Sequence, residues 1–257
     1  MDPINSFILA IIEGVTEFLP ISSTGHLIIA SKFLNIAQTD FVKSFEIAIQ
    51  SGSILAVVFL YWKQILSDEK IFKNLIYAFI PTAAVGFILY KFIKGYLIGN
   101  LQVTLLMLIL GGVAIILLEK YFKKTNQKLS IQDLSPKQSA FIGLVQSVSV
   151  VPGVSRAAAT IISGMGVGLK REEAARFSFM LAIPTMFAAT GYDLLKSASS
   201  FNPSQFQILA FGFIVSFVSA LLAVKWFISF IKRNTLAPFG IYRIVIGIPL
   251  YLWLLLF

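Results

Sequence analysis

The sequence Glu13-Gly14-Val15-Thr16-Glu17-Phe18-Leu19-Pro20-Ile21-Ser22-Ser23-Thr24-Gly25-His26 interrupts a run, Ile4 to Leu34, that is otherwise apolar enough for a membrane interior. Two carboxylates, the consecutive hydroxyls of Ser22, Ser23 and Thr24, a helix-breaking proline and the chain's single histidine lie together there. Ionisable groups are costly in hydrocarbon and mark function when a sequence keeps them.

The spacing narrows the chemistry. Glu13 and Glu17 are four residues apart, so on a helix they project from one face, a turn from each other. Two like charges so placed need neutralising, and a divalent cation with oxygen ligands supplies that. A carboxyl pair sharing one proton is the other way to satisfy them. Pro20 cannot continue a helix, whereas Ser22, Ser23 and Thr24 are residue types that cap a new one. The expected result is a helix, a break and a second helix whose free N–H groups and positive dipole end face the gap, where a phosphate would be held. His26 falls in the first turn of that second helix. It is either part of the site or a satisfied packing residue, and one of the two serines is needed for capping alone.

Composition sets the class. The 257 residues are 57% hydrophobic and 13% charged, with a mean hydropathy of +0.85, values no soluble domain of this size carries. The chain reads as an all-α polytopic membrane protein. Its net charge of +9 is then loop charge rather than a sign of a nucleic-acid partner. The sequence has no cysteine, which excludes disulfides, thiolate metal sites and cysteine nucleophiles. One histidine excludes any two-histidine mechanism. Met1 to Ala10 contains Asp2 and no Lys or Arg, so it does not read as a cleavable signal peptide.

Segments long enough to cross a bilayer are Ser44–Trp62, Leu75–Ile93, Leu101–Leu118, Ala174–Leu195, Phe206–Phe230 and Ala237–Phe257. Ile4–Leu34 and Pro136–Leu169 are apolar too, but Pro20 breaks the first and Pro152-Gly153 the second. They read as re-entrant hairpins of two half-helices, which a membrane protein tolerates where protein or a wet cavity covers the broken backbone. With six spans and two hairpins, fourteen basic residues, from Lys63 to Arg233, fall on one side; Lys32, Lys43, Lys91, Lys94 and Lys196 fall on the other. The positive-inside rule makes the richer side cytoplasmic and puts both termini and the first hairpin outside.

A sparse repeat supports that plan. Pro20-x-x-Ser23 recurs as Pro152-x-x-Ser155, and Phe45 as Phe177, each at an offset of 132 (152 minus 20, 177 minus 45). The chain then reads as one membrane domain of two halves, about 1–130 and 131–257, each with a hairpin and three spans. An odd number of crossings inverts the second half, the arrangement in which broken helices meet at a shared midplane site. Gly95-x-x-x-Gly99 and Gly111-Gly112 fit close helix contacts, either within one subunit or in a homodimer.

The partner stretch is Gln146-Ser147-Val148-Ser149-Val150-Val151-Pro152-Gly153-Val154-Ser155-Arg156-Ala157-Ala158-Ala159-Thr160. Arg156 brings a permanent charge into the second hairpin, and its planar fork suits phosphate oxygens. The plainer alternative is an ion pair with Glu13, Glu17 or Glu46 that only pins the hairpins together. Gly164-Met165-Gly166-Val167-Gly168-Leu169-Lys170 carries Leu where nucleotide-binding loops need Gly.

Three stretches together resemble the undecaprenyl-diphosphate phosphatase family of bacterial membranes, linked to bacitracin resistance. They are Glu13 to His26, Phe45-Glu46-x-x-Ile49-Gln50-x-Gly52-Ser53-Ile54-Leu55-Ala56, and Pro152-Gly153-Val154-Ser155-Arg156. The resemblance implies hydrolysis of a polyprenyl diphosphate lipid to its monophosphate, recycling the carrier for cell-wall synthesis. It also implies an inverted-repeat fold, a plasma-membrane location with the site facing outside, and a divalent cation, Mg²⁺ or alternatively Ca²⁺. By position it makes Glu13 and Glu17 the metal-holding acids, and Ser23 a nucleophile or phosphate ligand. His26 becomes the catalytic histidine and Arg156 the phosphate-binding arginine, with Ser22, Thr24, Gly25 and Ser155 around the phosphate. One departure stands out: Ala157-Ala158 replaces the family's usual Ser-Gly. The competing reading is a lipid-phosphate transporter or flippase that binds with the same groups and cleaves nothing. The other family of membrane lipid phosphatases, whose Ser-Gly-His resembles Ser23-Thr24-Gly25-His26, needs a second histidine, and this chain has one.

Overall fold

The computed structural model describes residues 1–37, 39–92, 100–122, 127–197 and 203–256. Among these residues the chain folds into ten α-helices: α1 Pro3–Thr16, α2 Ser23–Phe33, α3 Asp40–Ser67, α4 Glu69–Phe92, α5 Leu101–Phe122, α6 Pro136–Gln146, α7 Arg156–Gly166, α8 Arg171–Ser197, α9 Pro203–Ile231 and α10 Ala237–Leu256. Five of them, α3, α4, α5, α9 and α10, are long and apolar enough to cross a membrane. They leave large side chains such as Phe59, Phe87, Leu117, Leu222 and Val245 exposed, as a lipid solvent allows. The span read over Ala174–Leu195 lies in α8, a helix of 27 residues that is not among these five. The Gly95-x-x-x-Gly99 motif lies outside the described residues, whereas Gly111 and Gly112 face Arg243 and Gly240 of α10 within the same chain.

Both interrupted stretches are pairs of short helices in contact, α1 with α2 and α6 with α7. The breaks begin earlier than the prolines suggest. Helix α1 stops at Thr16, with the Glu17 amide still donating to the Glu13 carbonyl at 2.9 Å, so Pro20 sits inside the turn. Helix α6 stops at Gln146 and passes through a single 3-10 turn, Ser147–Val150, before Pro152. Ser22 caps α2 and Ser155 caps α7, each accepting from the amide three residues on, Gly25 and Ala158.

The local geometry of the two hairpins repeats, but one residue out of the register read from the prolines. Ser22 and Ser155 match, as do the left-handed residues Asn35 and Gly168, at an offset of 133 (155 minus 22, 168 minus 35). The turns that close α2 and α7 match as well: Ile36 N–H donates to Ser31 and Leu169 N–H to Gly164. Prolines sit where the break tolerates them, whereas caps sit where the helix starts, so the caps rather than the prolines line up in local geometry.

The first helix of each hairpin packs chiefly on a helix that is not its neighbour in sequence. Helix α1 seats on α9, where Gly14 admits the Ser216 carbonyl, and α6 seats on α4, where Gly143 admits the Ala78 carbonyl. Any side chain at either glycine would overlap that backbone. Helices α3 and α9 are pinned by Ser216, whose hydroxyl donates to the Ile49 carbonyl at 2.6 Å and meets the Ser53 hydroxyl at 2.7 Å. Phe18, at the first break, packs edge-on against Phe179 of α8 in the main core.

Candidate active site

The N-termini of α2 and α7 meet at one cavity of about 180 Å³. It is lined by Glu17, Ser22, Ser23, Thr24, Ser155 and Arg156, together with Gln50, Ser149, Val151, Pro152, Gly153, Thr185 and Met186. The first two amides of each helix, Ser23 and Thr24 and then Arg156 and Ala157, precede any intrahelical acceptor. Both dipoles therefore favour an anion at this cavity.

Glu17 joins the two hairpins. One of its oxygens accepts from the Ser23 hydroxyl and the other from Arg156 Nη2 at 3.2 Å. Arg156 Nη1 donates to the Ser178 carbonyl at 2.9 Å, and its guanidinium lies 5.6 Å from the Phe18 ring centre. The Arg156 Nε is buried without a partner. The ion pair expected as the plain alternative thus exists, with Glu17 as the acid, and it exists inside the polar cavity.

Glu13 is fully buried one turn behind, and neither of its oxygens has a hydrogen-bond donor. It lies within electrostatic reach of Glu17, Glu46 and Arg156. A buried carboxylate with no donor is strongly unfavourable as it stands, so either a proton shared with the neighbouring Glu17 carboxyl or an added cation fits it. Glu13 with Glu17 would be the residues to hold such a cation, Mg²⁺ or Ca²⁺, with water and substrate phosphate completing its shell. Among the described residues no cluster of three or more acids and histidines forms a closed cage.

His26 does not line the cavity. Its Nδ1 lies 2.8 Å from the Ser22 carbonyl and its Nε2 2.8 Å from the Tyr242 hydroxyl, with the two rings stacked at 5.6 Å. A carbonyl only accepts, so Nδ1 carries the hydrogen. Gly25 also stands behind the cavity wall, its amide taken by the Ser22 cap at 3.4 Å. Ala157 and Ala158 are buried in the main core and do not face the cavity. Alanine at these two positions therefore takes no hydroxyl from the cavity wall.

Gln50, Ser149, Thr185, Tyr242 and Arg243 belong to the site's surroundings, and sequence reasoning did not single them out as functional. Gln50 and Ser149 stand within the quoted motifs. Arg243 carries the clearest signal, a permanent charge inside an apolar segment.

A second cavity, about 280 Å³, lies between α2, α5 and α10, lined by Ile29, Phe33, Leu101, Leu105, Leu250 and Trp253 with Lys32 and Asn35. Its lining begins at Ile29, six residues beyond Ser23 on the same helix, or about 9 Å along the axis.

A family model described as bacitracin resistance protein BacA matches residues 6–249. An undecaprenyl-diphosphatase of Aquifex aeolicus is 55% identical, covering 94% of each chain. Proteins of the same name are 52% identical in a Sulfurihydrogenibium species, covering 98% of this chain and 100% of the relative, and 49% identical in Persephonella marina, covering 99% and 100%. This multi-pass membrane chain belongs to the BacA family.

Proposed function

We propose that this chain is an integral membrane phosphatase that hydrolyses undecaprenyl diphosphate to undecaprenyl phosphate and inorganic phosphate, recycling the lipid carrier for cell-wall synthesis. The observation that carries the reading is the Ser23–Glu17–Arg156 chain of polar contacts at the meeting point of two helix N-termini. The diphosphate head occupies the polar cavity and the prenyl tail runs along α2 into the apolar one. Arg156 and the free amides of α2 and α7 hold the terminal phosphoryl group, and their charge complements the charge that develops in transfer. Glu17 is placed to take the Ser23 proton while Ser23 Oγ attacks phosphorus. The bond to the bridging oxygen breaks, and the lipid monophosphate leaves. Water then releases phosphate from Ser23, with Glu17 returning the proton. Glu13 and Glu17 would hold a divalent cation, which when bound neutralises diphosphate charge. His26 fixes the Ser22 peptide from which α2 starts, and its Nε2 is the nitrogen left for proton transfer when the Tyr242 hydroxyl turns away.

The same reading places the chain in the bacterial plasma membrane with six spans, α8 being the sixth, and two re-entrant hairpins. The repeats are α1–α5 and α6–α10, and the matched caps at an offset of 133 support them. Termini and site face outside. In support, ion pairs and hydrogen bonds of Arg171 with Glu119, Lys232 with Glu172, and the Leu236 amide with Glu119 gather the ends of α5, α8, α9 and α10 on the side counted as cytoplasmic.

The test is phosphate release by purified protein from a prenyl diphosphate, with and without chelator. Release abolished by chelator and restored by Mg²⁺ is expected. Binding or flipping of the lipid without release would leave the transporter reading instead.

A further inference from the structure

Arg243 of α10 is fully buried, and all four of its hydrogen-bond acceptors are neutral backbone carbonyls. Its Nε donates to Leu108 at 3.0 Å, and its Nη2 to Met107 at 3.0 Å, both on α5. Its Nη1 donates to Pro20 at 3.2 Å, and Nη2 also to Gly153 at 2.7 Å. Pro20 lies in the first hairpin's break and Gly153 in the second. Each is two residues from a helix cap, Ser22 or Ser155, and Gly153 also lines the polar cavity.

Breaking a helix inside a membrane leaves carbonyls with no partner, and each such carbonyl is costly there. One guanidinium satisfies a carbonyl in each break at once, using a planar array of donors that a lysine ammonium cannot reproduce. The room for it comes from Gly111, where any Cβ would overlap the Arg243 guanidinium.

We infer that Arg243 is a positioning residue that sets the separation of the two hairpin tips, and through them the registration of Ser23 and Glu17 against Arg156. It touches none of these side chains. Its effect passes through the Pro20 and Gly153 carbonyls into the two caps. The inference rests on the catalytic reading above for its kinetic part and on geometry alone for its structural part.

The chain has no cysteine, so spin labels can be placed at Val15→Cys and Val148→Cys, exposed positions beside the two breaks. In the parent this pair should give one narrow distance distribution. Arg243→Lys should broaden or shift it and lower kcat at least tenfold, with KM for a prenyl diphosphate changed less than threefold, when rates are counted per folded molecule. Gly111→Ala keeps the charge but displaces the guanidinium, and should show the same pattern more weakly. It keeps the test decisive if Arg243→Lys fails to fold. An unchanged distance distribution in the folded variant overturns the inference, as does a loss of activity accounted for entirely by a smaller folded fraction. Absence of phosphate release from the parent would overturn the catalytic reading and leave the distance measurement still decisive for Arg243.

Discussion

Ser22 and Ser155 share one left-handed backbone conformation, φ 72° and ψ 91° in the first and φ 63° and ψ 109° in the second, at the starts of two eleven-residue helices. Neither is glycine, so each carries strain of about 1–3 kcal/mol. Each offsets part of it by capping the helix with its own hydroxyl. The strained pair directs both helix N-termini at one cavity.

A substitution series separates the two roles of Ser155. Ser155→Gly relieves the strain and loses the cap, and should change stability by less than about 1 kcal/mol. Ser155→Ala keeps the strain and loses the cap, costing about 1–2 kcal/mol more than Gly. Thermal unfolding in detergent checks the order; Ala and Gly variants that melt together would contradict it.

Arg156 should not tolerate lysine. It reaches Glu17 and the Ser178 carbonyl from opposite ends of one planar fork, which an ammonium cannot do. Arg156→Lys should lower phosphate release by about 10²–10³-fold while the protein still folds. Arg156→Ala should also lower the melting temperature, because it leaves Glu17 buried without its cation. Near-parental turnover in the lysine variant would remove Arg156 from the phosphate site.

Glu13 makes the cation reading measurable without turnover. If its donor-free carboxylate holds Mg²⁺, the parent should be stabilised by added Mg²⁺, by about 2.7 kcal/mol at a hundred times Kd, and destabilised by chelator. Glu13→Gln should abolish that response and be at least as stable as the metal-free parent. A melting temperature that ignores Mg²⁺ in the parent would point to a shared proton instead.

His26 can be divided between holding and proton transfer. His26→Asn keeps an N–H for the Ser22 carbonyl but accepts no proton at neutral pH. Since Ser23 donates to Glu17 rather than to the imidazole, His26→Asn should stay within about tenfold of the parent, and His26→Ala should fall by about 10²-fold or more. Equal losses in the two variants would assign His26 to the chemistry itself.

Acid should weaken one joint outside the membrane. Asp68, between α3 and α4, accepts from Gln132 and from the Lys70 and Ile71 amides. These bonds, the Gln132 one first, hold its carboxyl below the usual carboxylate range. A depressed folded value means that the contribution is present above the unfolded pKa of about 4 and is lost as pH falls through the folded value. Asp68→Asn should therefore be less stable than the parent at pH 7, and the gap should narrow as pH falls below about 4, by denaturation across that range.

The interruptions were legible because polar and charged groups inside an apolar run are costly unless a site or a partner holds them. Glu13, Glu17, Ser22, Ser23 and Arg156 can be read as one constellation for that reason. Three things were not legible. The prolines, as the visible markers, stand 132 residues apart, while the caps that share one local geometry, at a commoner residue, stand 133 apart. The partner of His26 lies 216 residues away at Tyr242, a distance no local spacing encodes. Arg243 stands out in the sequence as a charge out of place, but its acceptors are backbone carbonyls, which carry no side-chain signature.

The interleaving of the hairpins bears on how the protein is made. Helix α1 rests on α9, which begins at Pro203, so 187 residues separate the end of α1 from the start of its support (203 minus 16). At about 5–20 residues per second, ribosomes need about 10–40 s to cover that length. Through that interval the acid-bearing first hairpin lacks its main docking surface and has only α3 and α5 to lean on. Severing the gene between the halves should therefore yield fragments that assemble only when both are synthesised into the same membrane.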